Sequence, residues 1–237
     1  MAWTFCALFI PWVILVAIIT GGRFPNGFNR PVIRFWGRTM LWISGIKLEL
    51  DGCEALDRRE ARVITFNHAS TLDVFIMAAL LPPGGVPVVK REIVFIPFIG
   101  WGIYFMDFVR LDRRNRDRAV ASLEQAAARI RDNAVTVMIA PEGTRTSTRD
   151  PAPFKLGAIR LAEYSGAPII PLVIDGAAEL WPRDQIYCTP GTVRIRLLEP
   201  ITSQVFASES AQQVAEALRE RYREDLGVAN AQISHAA

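Results

Sequence analysis

The sequence predicts an α/β protein, in which a mixed, mostly parallel sheet is flanked by helices and preceded by an N-terminal two-helix membrane-binding motif. Two observations support this prediction. From Ile46 onward, apolar strand-like runs alternate with segments of helical periodicity, which is typical of an α/β domain. Before that point, the first 22 residues contain no charged side chain, which indicates contact with an apolar environment.

The composition is that of a folded protein rather than of a disordered chain. Hydrophobic residues make up 51% of the 237 residues and charged residues 22%, and one domain is the default at this length. The net charge is only +3, a weakly basic balance that suits an anionic surface or ligand. Cys6, Cys53 and Cys188 are scattered, so we expect no disulfide framework and a chain that faces the cytosol.

Residues 1–45 are predicted to form the membrane-associated segment. The run "AWTFCALFIPWVILVAIITGG" approaches the ~20 apolar residues that span a hydrocarbon core, and membranes tolerate the kink that Pro11 would cause. The next stretch is predicted to be a helix with separate apolar and basic faces: Ile33, Trp36, Met40 and Ile43 on one, Arg30, Arg34 and Arg38 on the other. Such a helix is typical of an element lying in a membrane interface, and the alternative is a helical pair packed on the core.

Residues 46–223 are predicted to be the α/β domain and residues 224–237 a flexible tail. Strands are predicted at short apolar runs, namely "IKLEL", "RVITF", "VPVVKREI", "DFVRL", "VTVMIA", "APIIPLVID" and "TVRIRLLEPI". Helices are predicted where apolar residues recur every three or four positions, over residues 72–81, 116–132, 158–165 and 203–223. Neither a repeat nor a low-complexity linker divides this region, so the main boundary is expected near Gly45.

Polar side chains follow the ends of three predicted strands. His68 follows "VITF", Arg110 and Arg113 follow "DFV", and Glu142 and Arg145 follow "VTVMIA". Ligands of open α/β sheets bind outside the carboxyl ends of parallel strands. We therefore expect these side chains to share one edge of the sheet and to form a functional site there.

His68 and Asp73 are candidates for acid–base chemistry. The chain has only two histidines, and the other, His235, lies third from the end, where the chain is expected to be mobile. A neutral imidazole accepts a proton near pH 7, and a carboxylate on its other nitrogen fixes the tautomer. The alternative is structural, because "STLD" matches a capping box that closes the start of a helix. The two roles are compatible, and the spacing alone does not choose between them.

The segment "PEGTR" is a candidate anion site. Gly143 lets the backbone approach a ligand, and Thr144 and Arg145 supply a hydroxyl and a planar fork of donors that suit phosphate. The alternative is a surface turn in which Glu142 and Arg145 form a charge pair.

Further basic residues lie elsewhere in the chain. Lys90 follows a predicted strand, and its alternative role is that of a surface lysine. The segment "RLDRRNRDR" carries five arginines, but acidic residues interrupt it, so no nucleic-acid partner is expected.

Several common sites are missing from the sequence. It contains no Walker A loop, no G-x-G-x-x-G pattern and no G-x-S-x-G elbow, so neither a nucleotide cradle nor a serine-hydrolase nucleophile is indicated. No second histidine or cysteine has metal-ligand spacing around His68, so no metal site is expected.

Taken together, four blocks in order resemble the 1-acylglycerol-3-phosphate (lysophosphatidic acid) acyltransferase family, within the glycerolipid acyltransferase superfamily. The blocks are "NHASTLD", "FVRLDR", "PEGTR" and "IIPLVIDG". In the second block Arg113 is the better match and Arg110 is its neighbour. "PFKLGAIRLA" and Lys90 ahead of "FIPFIGWG" are also similar to the family, and the resemblance covers roughly residues 46–185.

The resemblance implies that a fatty acyl group is moved from acyl-CoA or acyl-ACP to the sn-2 hydroxyl of lysophosphatidic acid, which gives phosphatidic acid. It implies that His68 is the general base and that Asp73 orients it. It further implies that the fourth block helps to line the acyl site and that basic and third-block residues hold the phosphate of the acceptor: Lys90, Arg110, Arg113, Glu142, Gly143, Thr144 and Arg145. Neither a metal ion nor a cofactor is implied.

The expected partners are a phospholipid bilayer, a lysophospholipid acceptor, and acyl-CoA or acyl carrier protein. The protein is expected at a membrane with its site facing the cytoplasm, which is the inner or plasma membrane if the source is bacterial. Two alternatives stay open. In the first, the enzyme acts on a different acceptor: another lysophospholipid, glycerol-3-phosphate or a lyso-aminolipid. In the second, the chain is an inactive membrane-anchored lipid-binding protein.

Overall fold

The computed structural model describes residues 29–95, 108–111 and 116–228. The predicted apolar run at the N-terminus, Arg113 and His235 therefore lie outside the described residues. The helices are α1 (Asn29–Ile43), α2 (Leu72–Ala79), α3 (Arg116–Asn133), α4 (Gly157–Ser165), α5 (Ala177–Leu180), α6 (Val205–Ser208) and α7 (Ala211–Asp225). The strands are β1 (Ile46–Asp51), β2 (Arg62–Phe66), β3 (Gly85–Lys90), β4 (Val109–Leu111), β5 (Thr136–Ile139), β6 (Ile169–Asp175) and β7 (Gly191–Leu197).

Within the described residues, the seven strands form one sheet in the order β1-β7-β6-β2-β5-β3-β4. The five strands from β6 to β4 run parallel, while β7 is antiparallel to β6 and β1 is parallel to β7. The predicted mixed, mostly parallel sheet flanked by helices is thus confirmed. The carboxyl ends of the five parallel strands lie along one side of the sheet, which we call the site edge.

The core has two layers because the central strands are covered on both faces. In β2, Val63 and Ile64 are both fully buried, and they belong to different apolar clusters. The Val63 cluster includes residues of α3, α4 and α7, and the Ile64 cluster includes residues of α1 and α2. A parallel strand with helices on each side needs apolar residues at successive positions, and this is why "RVITF" shows no polar alternation.

The apolar face of α1 packs on the core. Met40 is buried, and Gly37 lies so close to α2 that a Cβ at this position would approach Ala79 N to 2.4 Å. Phe35 and Trp42, on the opposite side of α1, are 58% and 80% exposed. The apolar face of α1 therefore packs on the core, as the alternative prediction for this helix stated, and aromatic side chains occupy its outer face.

The basic residues of α1 are engaged within the protein. Arg30 and Arg34 both donate to Asp57 Oδ1, at 2.7 and 3.0 Å, and both donate to the carbonyl of Leu81 beyond α2. Among the described helices, none combines the length and apolar character that crossing a bilayer requires. The two-helix membrane-binding motif includes residues outside the described ranges, so membrane contact stays a prediction.

The predicted C-terminal helix over residues 203–223 is in fact two helices, α6 and α7. The break occurs at Ser210, whose hydroxyl accepts the N–H of Gln213 while the Gln213 side chain accepts the N–H of Ser210. This capping box starts a new helix. Tyr222 anchors α7 to the sheet, since its buried hydroxyl lies 3.0 Å from Thr65 Oγ1 and accepts the N–H of Leu172.

Candidate active site

The end of β2 places His68 at the site edge. The preceding residue, Asn67, is buried, and its amide makes two 2.8 Å hydrogen bonds to the N–H and the carbonyl of Ile174 in β6. The side chain thereby continues the ladder between the two strands past their last backbone pair. Sequence reasoning missed Asn67, although a polar amide directly after an apolar strand is a signal that could have found it.

His68 and Asp73 are in direct contact. His68 Nδ1 lies 2.8 Å from Asp73 Oδ2, and the Asp73 side chain is 1% exposed while that of His68 is 21% exposed. The same Oδ2 accepts the N–H groups of Ala69 at 2.9 Å and of Ser70 at 2.8 Å. An oxygen that receives several donors behaves as an ionised acceptor, so the proton of the neutral ring lies on Nδ1. The ring's Nε2 is then a proton acceptor.

The loop before α2 also has the structural role that the sequence suggested. Asp73 reaches back to the N–H of Ser70, which is one half of a capping box. The other half differs, because Ser70 Oγ accepts the N–H of Leu72 at 3.1 Å instead of that of Asp73. The Ser70 hydroxyl donates to the carbonyl of Trp181 at 2.7 Å and is fully buried, so it is held in place and is not presented as a nucleophile.

Glu142 is buried, and backbone groups of the protein occupy both of its carboxylate oxygens. Its side chain is 2% exposed, and its two oxygens accept the backbone N–H groups of His68 at 2.7 Å and of Ala152 at 2.9 Å. Burial raises the pKa of Glu142 to about 7, and these two hydrogen bonds oppose the rise. The carboxylate therefore positions the loop that carries the imidazole.

The remainder of "PEGTR" lies beside the start of α2. Gly143 has a positive φ of 76°, a conformation that favours glycine, and Thr144 is exposed. Arg145 Nη1 donates to Thr71 Oγ1 at 2.7 Å, and the carbonyl of Arg145 accepts a hydrogen bond from Arg183 Nη1 at 2.9 Å. Arg145 is thus brought next to the His68 loop. Sequence reasoning missed Arg183, which no motif marks.

Lys90 and Arg110 lie on β3 and β4, which are two and three strand positions away from β2 in the sheet. Lys90 is exposed at the end of β3. Arg110 is an exposed residue inside β4, which extends to Leu111, instead of following the strand as expected. β4 is three strand positions away from β2, about 14 Å at ordinary strand spacing, so Arg110 lies toward the site edge on a distant strand, and its contact with substrate stays a prediction. The sequence order of strands does not reveal their spatial order.

The loop between β5 and α4 is fastened at several points. The N–H of Thr146 donates to the carbonyl of His68 at 2.9 Å, so both backbone groups of His68 are bonded to residues that follow β5. Farther along, Arg219 of α7 donates to the carbonyl of Pro151, and Arg223 pairs with Asp150 at 2.9 Å. The C-terminal helix therefore supports the loop that holds the imidazole.

The arrangement can perform general-base chemistry. A partly exposed imidazole is oriented by a buried carboxylate, and its backbone is held on both sides. A base positioned in this way typically accelerates proton transfer by ~10²–10⁴-fold. The guanidinium of Arg145 supplies positive charge in the same neighbourhood.

A family model described as Acyltransferase matches residues 47–175 of the chain. The matched span includes the His68 loop, the Glu142–Arg145 segment and all five parallel strands.

The chain is also similar to curated proteins named 1-acyl-sn-glycerol-3-phosphate acyltransferase. It is 30% identical to the one from Cocos nucifera over 190 residues, which cover 80% of this chain and 61% of that protein. It is 26% identical to the alpha form from Mus musculus over 218 residues, which cover 90% of this chain and 76% of that protein. The chain thus spans about three fifths of the length of the Cocos protein.

Among solved structures, the chain is similar to the crystal structure of the 1-acyl-sn-glycerophosphate (LPA) acyltransferase from Thermotoga maritima. The TM-score is 0.75 at 24% sequence identity, and the match covers 98% of this chain and 93% of the other. The two chains share the same fold.

Proposed function

Because the chain belongs to the acyltransferase family, we propose that it moves a fatty acyl group from a thioester to the sn-2 hydroxyl of lysophosphatidic acid, giving phosphatidic acid. The observation that carries this proposal is the 2.8 Å contact between His68 Nδ1 and Asp73 Oδ2, which leaves Nε2 as the proton acceptor. The names of the similar proteins support the same reaction, since they describe 1-acyl-glycerophosphate acyltransferases.

The His68–Asp73 pair accounts for each proton that the reaction moves. Nε2 of His68 takes the hydroxyl proton as the alcohol oxygen attacks the thioester carbon, and this step forms a C–O bond and a tetrahedral oxyanion. Asp73 stabilises the imidazolium that results. Collapse of the oxyanion breaks the C–S bond, and the departing sulfur takes the proton back from the imidazolium. The alcohol attacks directly, so no covalent acyl-enzyme is part of the proposal.

The phosphate of the acceptor binds at Arg145. This side chain is half-buried and uses Nη1 to hold Thr71, so its planar group is oriented before any ligand arrives. A guanidinium has five N–H donors and matches the geometry of phosphate oxygens. The exposed hydroxyl of Thr144 completes the phosphate site.

The acyl group arrives on coenzyme A or on acyl carrier protein as a co-substrate, and the reaction uses neither a metal ion nor a bound cofactor. The acceptor is a lipid, so the enzyme works at a phospholipid bilayer with its site facing the cytoplasm. The exposed aromatic residues of α1, Phe35 and Trp42, support contact with lipid, because aromatic rings favour the membrane interface. The uncharged run over residues 1–22 supports the same placement.

Product identification tests the proposal. The full-length protein in lipid vesicles is incubated with mixed acyl thioesters and mixed acceptors, and the products are identified by lipid mass spectrometry. We expect phosphatidic acid to be the main product and lysophosphatidic acid to be the acceptor consumed. Preferential acylation of glycerol-3-phosphate or of another lysolipid would refute the acceptor assignment. Lipid binding without any new ester would refute the enzymatic proposal altogether.

A further inference from the structure

One peptide group in the loop between β5 and α4 is held at both of its ends. The carbonyl of Pro151 accepts a 2.8 Å hydrogen bond from Nε of Arg219 in α7, and the N–H of Ala152 donates at 2.9 Å to Oε2 of Glu142. This carbonyl and this N–H belong to the same planar trans peptide, so they point in opposite directions. The guanidinium of Arg219 and the carboxylate of Glu142 therefore hold one peptide plane from its two sides.

The same carboxylate continues the connection to the imidazole loop. Its other oxygen, Oε1, accepts the N–H of His68 at 2.7 Å. Three hydrogen bonds thus join Arg219 to the backbone of His68, by way of one peptide group and Glu142. Hydrogen bonds in such a chain polarise one another, so a cation at the carbonyl of Pro151 makes the N–H of Ala152 a stronger donor. Arg219 therefore strengthens the hydrogen bond that fixes the position of Glu142.

The helix around Arg219 is firmly packed on the sheet. Leu218 and Tyr222 of α7 are fully buried, and the Tyr222 hydroxyl is bonded to Thr65 Oγ1 and to the N–H of Leu172. A side chain on a packed helix holds its partner more precisely than a side chain on a loop does. This helix lies beyond residue 175, where the match to the family model ends. The support from Arg219 therefore comes from outside the four sequence blocks.

We propose that Arg219 is a positioning residue for the acyl transfer, and that it acts on His68 through the Pro151–Ala152 peptide and Glu142. The inference rests on the proposed function, because the kinetic effect that it predicts belongs to that reaction. Loss of Arg219 displaces the general base, which lowers kcat. The side chains that bind the two substrates are kept, so KM changes little.

Steady-state kinetics of the full-length protein in lipid vesicles measure this effect. Arg219→Ala should lower kcat about tenfold and change KM for lysophosphatidic acid less than about twofold. Arg219→Lys, which keeps a charged donor, should recover most of the lost kcat. Arg221→Ala is the matched control, because Arg221 also lies in α7 and donates to a backbone carbonyl, but to that of Glu199. The ion pair of Arg223 with Asp150 is kept in all three variants, so the loop stays attached to α7.

A double-mutant cycle shows whether the effect of Arg219 passes through Glu142. Adding Arg219→Ala to Glu142→Gln should change kcat by less than about twofold, because the connection is already broken in the single variant. Additive losses of kcat would overturn the proposed route. An unchanged kcat in Arg219→Ala, or an equal loss in Arg221→Ala, would overturn the positioning role itself.

Amide hydrogen exchange separates this inference from the proposed function, since it needs no reaction. Exchange is measured by mass spectrometry on peptides that contain His68 or Ala152. In Arg219→Ala both amides should exchange about tenfold faster than in the wild type, whereas Arg221→Ala should leave them unchanged. This result without phosphatidic acid formation would uphold the link from Arg219 to the His68 loop and refute the proposed function. Unchanged exchange at both amides in Arg219→Ala would overturn the inference for an active and for an inactive protein alike.

Discussion

The backbone N–H of His68 donates a 2.7 Å hydrogen bond to Oε1 of Glu142, a residue 74 positions further along the chain. The other oxygen of this carboxylate holds the N–H of Ala152. The loop after β2 is thus tied to the loop after β5 by one buried side chain. His68 lies on the loop after β2 and Asp73 lies in the first turn of α2, but the placement of that loop depends on the neighbouring strand.

Replacement of Glu142 by Gln should lower kcat by about tenfold or more, because one backbone N–H then faces an amide N–H₂ group instead of an oxygen and the His68 loop shifts. KM for both substrates should change little. Steady-state kinetics with acyl-CoA and lysophosphatidic acid measure both quantities. Glu163→Gln, an exposed carboxylate of α4 paired with Arg160, is the matched control. If KM rises and kcat is retained, Glu142 contacts substrate directly.

The stability of the protein should depend on pH through Glu142. Its pKa is about 7 in the folded protein and near 4.5 when unfolded, so between these values the folded state binds the additional proton. The free energy of unfolding contributed by this group is therefore fully present below pH 4.5 and is lost as pH rises through about 7. Urea denaturation should show that, as pH rises over this range, the free energy of unfolding of the wild type falls by up to about 3 kcal/mol relative to that of Glu142→Gln. A pH-independent difference would contradict the raised pKa.

Replacement of His68 by Ala should reduce kcat by about 10²–10⁴-fold, because the proton acceptor is removed. Asp73→Asn should reduce it by a similar order, since the neutral amide no longer stabilises the imidazolium. Rates of phosphatidic acid formation measure both effects, and circular dichroism checks that each variant is folded. Ample turnover by folded His68→Ala would show that another group takes the proton.

Replacement of Arg145 by Ala should raise KM for lysophosphatidic acid about tenfold, the expected effect of one lost charge-assisted contact to phosphate. The KM for acyl-CoA should stay the same. Arg160→Ala removes an arginine of α4 that pairs with Glu163 on the surface and serves as the control. An unchanged acceptor KM would show that Arg145 only holds Thr71.

Replacement of Gly37 by Ala should destabilise the protein by about 1–3 kcal/mol, because the added Cβ meets backbone atoms of α2 at 2.4 to 2.9 Å and the two helices must separate. Urea denaturation gives the free energy of unfolding. Gly157→Ala is the control, since nothing lies within 4 Å of a Cβ at that position. Equal stability of the two variants would show that α1 does not pack tightly on α2.

Local sequence patterns were sufficient for the elements and for part of the site. Apolar runs and helical periodicity depend on neighbouring residues, so every described strand was anticipated. The contact of Asp73 with His68 was expected from the resemblance of "NHASTLD" to the acyltransferase family, because the spacing alone did not choose between a catalytic and a capping role. The break at Ser210 was not anticipated, because the helical periodicity continues across it and only the capping residues mark it.

The sequence alone determined the α/β class and placed a carboxylate at the start of the helix that follows the loop of His68. Tertiary structure decided which distant groups meet: Glu142 accepts the N–H of His68 from the neighbouring loop, and Arg110 lies on the edge strand of the sheet, where it lines a cavity with Arg91 and Arg118. The physical reason is that strand order and helix packing are set by how the whole chain buries its apolar surface. Contacts between residues far apart in sequence follow from that packing and leave no local pattern.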